Sequence, residues 1–319
     1  MYLVDIIKKY KNFIAKKDNN KIKWKKNINF LFKKQKQKKK LILIITIGRS
    51  GSRWLLNIFK SHKNEFSGAT ERDIIYESFY HFCSYHKLKI DQKPFLLNLK
   101  NRILEDWSKS KTSVICSPYY VFGLKKIIKE IRPNKIILCL NDPIFTANSF
   151  LNKGWYKENF TFTKNFKIIG LQPYFYNSMS HYFGRIIPSG RIFTQWNKMS
   201  RIGKVGWYMN STMKSVYKVL KKQKQKIFIF NLDISDQNYE FYLLLRKKFN
   251  IKLKLSKKNF LNLKKTKATT PSSNDLSFNN LDQSRWSRKD KLDFNKQTVF
   301  FKKFYLNTKK YLKFSEKII

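Results

Sequence analysis

The sequence predicts an α/β fold in three layers, a parallel sheet flanked by helices on both faces. Strand-length runs of branched apolar residues, such as Leu41-Ile-Leu-Ile-Ile-Thr-Ile47, alternate with stretches whose apolar residues recur at helical spacing. Two of the runs stop at short polar turns where a helix begins at once, and in an open parallel sheet ligands bind at such carboxyl ends. With 319 residues, 42% of them hydrophobic and 16% aromatic, the chain has the material for one large core.

Residues 1–40 are a Lys-rich lead ending in Lys33-Lys-Gln-Lys-Gln-Lys-Lys-Lys40. Leu3, Ile6, Ile7, Tyr10, Phe13 and Ile14 recur at helical spacing, which suits either a solvated extension over the domain or a basic helix on an anionic membrane. The domain proper is expected over 41–319. Its first strand, 41–47, leads through Gly48 and Gly51 into a helix over 53–62, marked by Trp54, Leu55, Ile58 and Phe59. A short strand at 65–68 runs into polar residues, and the aromatic stretch Tyr76–His86 places a core-packed helix over 73–86. Further strands are expected at 112–116, 136–140 and 227–231, and further helices at 95–108, 121–131, 144–153, 174–183, 197–224 and 236–249. Pro143 suits the first turn of the helix after the fourth strand. Between 154 and 210 the rhythm breaks at Trp155, Tyr156, Tyr174, His181, Arg185, Trp196, Arg201 and Trp207. That insertion suits an acceptor carrying sugar rings, and the same residues suit a core. The polar stretch Thr266–Asn280 precedes a last helical pair.

The loop after the first strand reads Gly48-Arg49-Ser50-Gly51-Ser52-Arg53. The first amides of the following helix point into it, and the helix dipole favours negative charge there. Gly48 and Gly51 let the backbone approach an anion, Ser50 and Ser52 add hydroxyls, and Arg49 and Arg53 add permanent charge. The loop is P-loop-like but lacks the Gly-Lys-Ser/Thr ending, which disfavours a kinase.

Strand, Gly-Arg-Ser-Gly-Ser-x-Trp-Leu, then helix resembles the sulfotransferases that use 3′-phosphoadenosine 5′-phosphosulfate (PAPS). The resemblance implies the sulfotransferase fold, with the loop holding the 5′-phosphosulfate. It extends to Lys135–Phe150, where family members carry a strand, Arg-Asp-Pro, and a serine eight residues after the arginine, arginine and serine holding the 3′-phosphate. Asp142, Pro143 and Ser149 match, while Asn141 stands in the arginine position. Lys153, one turn after Ser149, could supply the missing charge, and Asn141→Arg should then tighten 3′-phosphate binding. A glutamate beyond the first helix serves as base in glycan and tyrosylprotein sulfotransferases, and Glu71 occupies that place. The residue-level alternative for Glu71 is an exposed carboxylate paired with Arg72 or capping the next helix. Arg49 is the cation expected at the leaving group, and His181 the fallback base. His62, His81 and His86 are expected to be structural. Arg285, Arg288 and Lys289 are candidate C-terminal contacts to the 3′-phosphate.

The formal net charge of +48 points at first sight to nucleic acid or an anionic membrane. The cations are mostly lysines spread along the chain, as in an AT-rich bacterial genome, and no nucleic-acid-binding motif accompanies them. Cys83, Cys116 and Cys139 form neither a disulfide framework nor a metal-ligand spacing, which predicts a reducing compartment and no metal. The chain has no apolar run of membrane-spanning length and no signal-peptide pattern at Met1–Lys8. A bacterial cytoplasmic sulfotransferase is therefore expected, using PAPS and a small-molecule or glycan acceptor, with room for peripheral contact with the inner membrane through the basic N-terminus. The other classes are a basic nucleic-acid- or membrane-binding protein with a purely structural loop, and a small-molecule kinase.

Overall fold

The structure is a computed structural model that describes residues 27–89, 91–157, 183–223, 227–232, 239–252, 254–265 and 283–309. Its centre is a sheet of five parallel strands: β1 (Lys40–Thr46), β2 (Phe66–Thr70), β3 (Thr112–Ser117), β4 (Lys135–Leu140) and β5 (Ile227–Asn231). They lie in the order β2-β3-β1-β4-β5. β1 is central and buried from Leu41 onward, which explains its unbroken run of branched residues.

Alternate residues of each strand feed two cores. Leu41, Leu43 and Ile45 face one side, with Ile136, Leu138 and Leu140 of β4. Ile42 and Ile44 face the other, with Ile137 and Cys139. The second face is covered by α2 (Ser52–Lys60) and α9 (Tyr239–Phe249), through Leu55, Ile58, Phe59, Tyr242 and Leu245. Phe260 of α10 (Lys257–Lys265) joins them. The first face takes α1 (Ile28–Lys36), α3 (Ile74–Tyr85), α4 (Lys93–Lys109), α5 (Leu124–Ile131) and α6 (Pro143–Leu151). It also takes α7 (Arg191–Asn197), α8 (Arg201–Leu220), α11 (Arg288–Gln297) and α12 (Val299–Lys309). Helices on both faces of a parallel sheet give the expected three layers.

Three departures from the sequence pattern have local causes. The expected Lys-rich lead is folded over its last part: Phe32 of α1 packs on Trp107 at 5.2 Å, and Trp107 Nε1 donates to Lys40 O at 2.7 Å. The helix expected over 197–224 begins only at Arg201, and a short helix that was not expected, α7, precedes it. Ser200 is extended and its Oγ accepts from Gly203 N at 3.1 Å, so α8 starts there and α7 ends before it. α10 was not expected, because a nine-residue segment with four lysines shows little apolar patterning. The helix expected over 174–183 lies outside the described residues, apart from its final position.

Buried titratable groups follow the same layering. Glu77 of α3 lies inside the first face, where Tyr120 Oη donates to its Oε1 at 3.1 Å. Burial pushes its carboxyl up to about 8, and burial pushes His81 down to about 3 and His86 to about 4. A raised carboxylate stabilises the fold below its ordinary value of 4.5 and loses that contribution as pH rises to about 8. The depressed imidazoles contribute fully above 6.5 and lose it only as pH falls. Between 6.5 and 8 the Glu77 slope therefore acts without theirs. The thermal midpoint should fall across that interval, by up to about 2 kcal/mol of stability. Glu77→Gln should flatten the dependence, and equal slopes in the two proteins would contradict it.

Candidate functional site

β1 continues toward β2 at one edge of the sheet and β4 toward β5 at the other, so their outgoing connections diverge. Such a divergence opens a crevice between the carboxyl ends of the two strands, where open α/β sheets bind ligands. The Gly48–Gly51 loop and the Asn141-Asp142 turn follow those two strand ends.

The loop is folded on Thr46. Its buried Oγ1 lies 2.6 Å from Ser50 Oγ and accepts from Gly48 N at 2.9 Å. Gly48, Arg49 and Gly51 then take left-handed backbone, with φ of 94°, 57° and 74°. A Cβ on Gly51 would sit 2.5 Å from Leu232, and one on Gly48 3.1 Å from the Phe150 ring. Arg49 is the non-glycine member of that series, and the left-handed region costs it about 1–2 kcal/mol. The β4 side holds it in place. Asn141 Nδ2 donates to Arg49 O at 3.4 Å, and Arg49 Nε donates to Ser149 Oγ at 2.7 Å.

Positive charge accumulates here. Arg53 stands in the first turn of α2, a turn without any acidic residue, so it adds to the dipole field rather than cancelling it. Lys153, just beyond α6, is held below its ordinary value by burial and then by the charges of Arg49 and Arg53. Arg49 is lowered by desolvation of its head and by Arg53, against the pull of Glu71, while its surface remains open to the crevice.

Glu71 closes the site on the β2 side. It follows the strand at φ 48°, and its amide donates to Cys116 O at 3.2 Å, which extends the sheet by one residue. Its carboxylate lies 3.8 Å from Arg53. Burial raises its pKa, while Arg53 and Arg49 draw it back. Pairing with Arg72 is not what occurs. Arg72 is bound to Asp106 of α4 and donates to Arg102 O at 2.9 Å, while Asp106 also accepts from Ser67 at 2.8 Å and Ser113 at 2.6 Å. The residue at the start of α3 is Asp73.

Several sequence expectations change at this level. Ser50 turns inward to Thr46 instead of presenting its hydroxyl to the crevice. Asn141 is only 2% exposed, with Nδ2 on Arg49 O and Oδ1 accepting from Asp142 N at 2.9 Å; it holds the turn rather than offering a phosphate donor. Asp142 caps α6 through Ile144 N at 2.7 Å and Phe145 N at 3.2 Å. Lys289 is spent on Lys198 O at 3.1 Å and Asp293 at 3.3 Å, while Arg285 and Arg288 are exposed. The described aromatics of 154–210 are core: Trp196 is fully buried, Tyr156 Oη donates to Ile186 O at 2.5 Å, and Arg201 Nε and Nη2 each donate at 2.7 Å to Trp155 O and Leu151 O. His181 and Tyr174 lie outside the described residues. The sequence reading missed Thr46, whose place two residues before Gly48 was its one signal. It also missed Trp286, whose Nε1 donates to Asn148 Oδ1 at 3.2 Å and docks the C-terminal segment onto the site helix.

No protein-family model matches this chain, and no curated protein matches it. The chemistry of the crevice is accordingly read from its own groups: three cations around a helix N-terminus, and one carboxylate of raised basicity facing them. Among the described residues no group of three His, Cys, Asp or Glu could hold a metal ion, and no helix is long and apolar enough to cross a membrane.

Because Asn141 is enclosed and uses both ends of its amide, Asn141→Arg should not strengthen anion binding. It should lower the thermal midpoint, at a cost of several kcal/mol for forcing a larger cation into the turn. Ser149→Ala should weaken binding of inorganic pyrophosphate by about tenfold through the loss of one charge-assisted hydrogen bond, and Ser149→Thr should restore it. Calorimetry showing tighter anion binding by Asn141→Arg at an unchanged midpoint would refute these roles.

Proposed function

We propose that the protein is a PAPS-dependent sulfotransferase of the sulfotransferase fold, transferring the sulfuryl group to a hydroxyl of a saccharide, glycolipid or other small acceptor. One observation carries the reading. The 2.7 Å hydrogen bond from Arg49 to Ser149 joins the loop expected at the phosphosulfate to the helix expected at the 3′-phosphate. Two motifs about a hundred residues apart in sequence thus border one crevice, as a cosubstrate with anionic groups at both ends requires.

In this proposal Glu71 takes the acceptor proton as the acceptor oxygen forms its bond to sulfur. The bond from sulfur to the bridging phosphate oxygen breaks, and 3′,5′-ADP leaves with the electron pair. Arg49 and Arg53 oppose the charge growing on that oxygen and on the sulfate oxygens. The raised pKa of Glu71 makes it a stronger base than an ordinary carboxylate, and its pairing with Arg53 keeps it in the ionised form. The absence of a lysine after Gly51 favours sulfuryl over phosphoryl transfer from ATP. The buried free thiols Cys83, Cys116 and Cys139 suit a cytoplasmic setting.

Thermal shift with 3′,5′-ADP, 5′-AMP and ATP tests the assignment, and 3′,5′-ADP should stabilise the protein most. Equal shifts with all three, matched by any polyanion, would indicate a charged binding surface instead. Arg49→Ala should cost about 3 kcal/mol in the barrier, the usual worth of one positioned donor at developing charge. Glu71→Gln should lower turnover by ~10²-fold or more while 3′,5′-ADP still binds. Since the base acts deprotonated, the rate should fall as pH drops through a value above the ordinary carboxylate range.

A further inference from the structure

The surface opposite the core contacts of α11 and α12 carries a pattern independent of the crevice. Leu292, Val299 and Leu306 are 62%, 62% and 56% exposed, three of the five most exposed large apolar side chains among the described residues. They recur every seven residues. Two helical turns take slightly more than seven residues, so positions at that spacing keep one side of a helix, drifting by only about 20° per step. Thr298 alone separates the helices. Its amide donates to Phe294 O at 2.9 Å and its carbonyl accepts from Lys302 N at 2.8 Å, but its backbone is off helical values at φ −104° and ψ 9° and Phe301 N donates to Asn210 Oδ1 at 2.9 Å, so α12 starts as a new helix. Both helices pack on α8, α11 at Gly203 and Gly206 and α12 at Asn210 and Tyr217, so each turns the face opposite those contacts outward.

Cations flank them in sequence: Arg288, Lys291, Lys296 and Lys303 are all exposed. The acids of α11 are engaged elsewhere. Asp290 closes the capping box with Ser287, and Asp293 accepts from Ser200 N at 2.7 Å and from Lys289. Apolar side chains bordered by cations, with no exposed carboxylate between them among the described residues, have the chemistry of a helix surface lying in the plane of a bilayer interface. A second copy of the chain would bring lysine against lysine, and a nucleic acid would leave the apolar side chains without use.

We infer that the Leu292–Val299–Leu306 face docks on a membrane surface carrying anionic lipid. The apolar side chains enter the headgroup boundary while the flanking cations meet lipid phosphates. This contact differs from the one expected of the N-terminal lead and does not depend on the sulfotransferase reading.

Flotation of the full chain with vesicles tests the inference. Phosphatidylcholine vesicles containing phosphatidylglycerol should carry the protein upward, pure phosphatidylcholine much less, and added salt should release it. The triple variant Leu292→Ser, Val299→Ser, Leu306→Ser should lose binding by about tenfold or more, with an unchanged melting curve because all three side chains are exposed. Lys296→Gln with Lys303→Gln should weaken binding and flatten its salt dependence. Wild-type protein that ignores anionic vesicles would overturn the proposal, as would a triple variant that floats like wild type. A seam that instead forms dimers in light scattering, or duplex DNA binding that the triple variant retains in full while vesicles are ignored, would also overturn it.

Discussion

The candidate site depends on the way Arg49 is held. Its backbone is left-handed at φ 57°, a conformation that a non-glycine residue keeps only when its surroundings compel it. The compulsion comes from across the sheet, where Asn141 takes its carbonyl and Ser149 its Nε. With Nε engaged, the guanidinium is fixed in orientation and its terminal nitrogens are what it can offer an anion. The conformational cost is borne by the fold, so less ordering remains when a ligand arrives.

Around that clamp the electrostatics are asymmetric. Three cations and a helix N-terminus meet one carboxylate, and the lowering of Arg49 by Arg53, and of Lys153 by both arginines, records crowding of like charge beside the effect of burial. An anion in the crevice would relieve that crowding, which is the physical reason to regard the arrangement as a binding site rather than a surface cluster. Glu71 is the counterweight. Had it paired with Arg72 it would belong to the α4 network, but Asp106 holds Arg72 and leaves Glu71 facing Arg53.

Asn141 shows how the surroundings of a side chain decide its role. Where the resemblance suggested a charged phosphate contact, this chain has a small, enclosed amide that stabilises two turns at once. Ser149, in the same reading a phosphate contact, reaches Arg49. In the proposed function, anion charge compensation therefore rests on the loop and on Lys153.

The sequence by itself determined the layering. Strands that must be buried on both faces show as unbroken apolar runs, as at Leu41–Ile47 and Ile136–Leu140, and local period and turn chemistry are enough to place them. The two strand-turn-helix units and the charge of the first loop were legible for the same reason, since Gly, Pro and Asp act on their own neighbours. Fold elements with little apolar patterning, such as α10, were not legible. Nor were the partners of polar side chains: Thr46 with Ser50, Arg72 with Asp106, Trp286 with Asn148. The aromatics of 154–210 that suggested a sugar platform proved, where described, to be core, because an aromatic ring is equally suited to either place until its neighbours are known. Only the tertiary structure decided those matters. A side chain's chemistry names what it can bind, but which group it meets depends on strand order and on contacts between residues far apart in the chain.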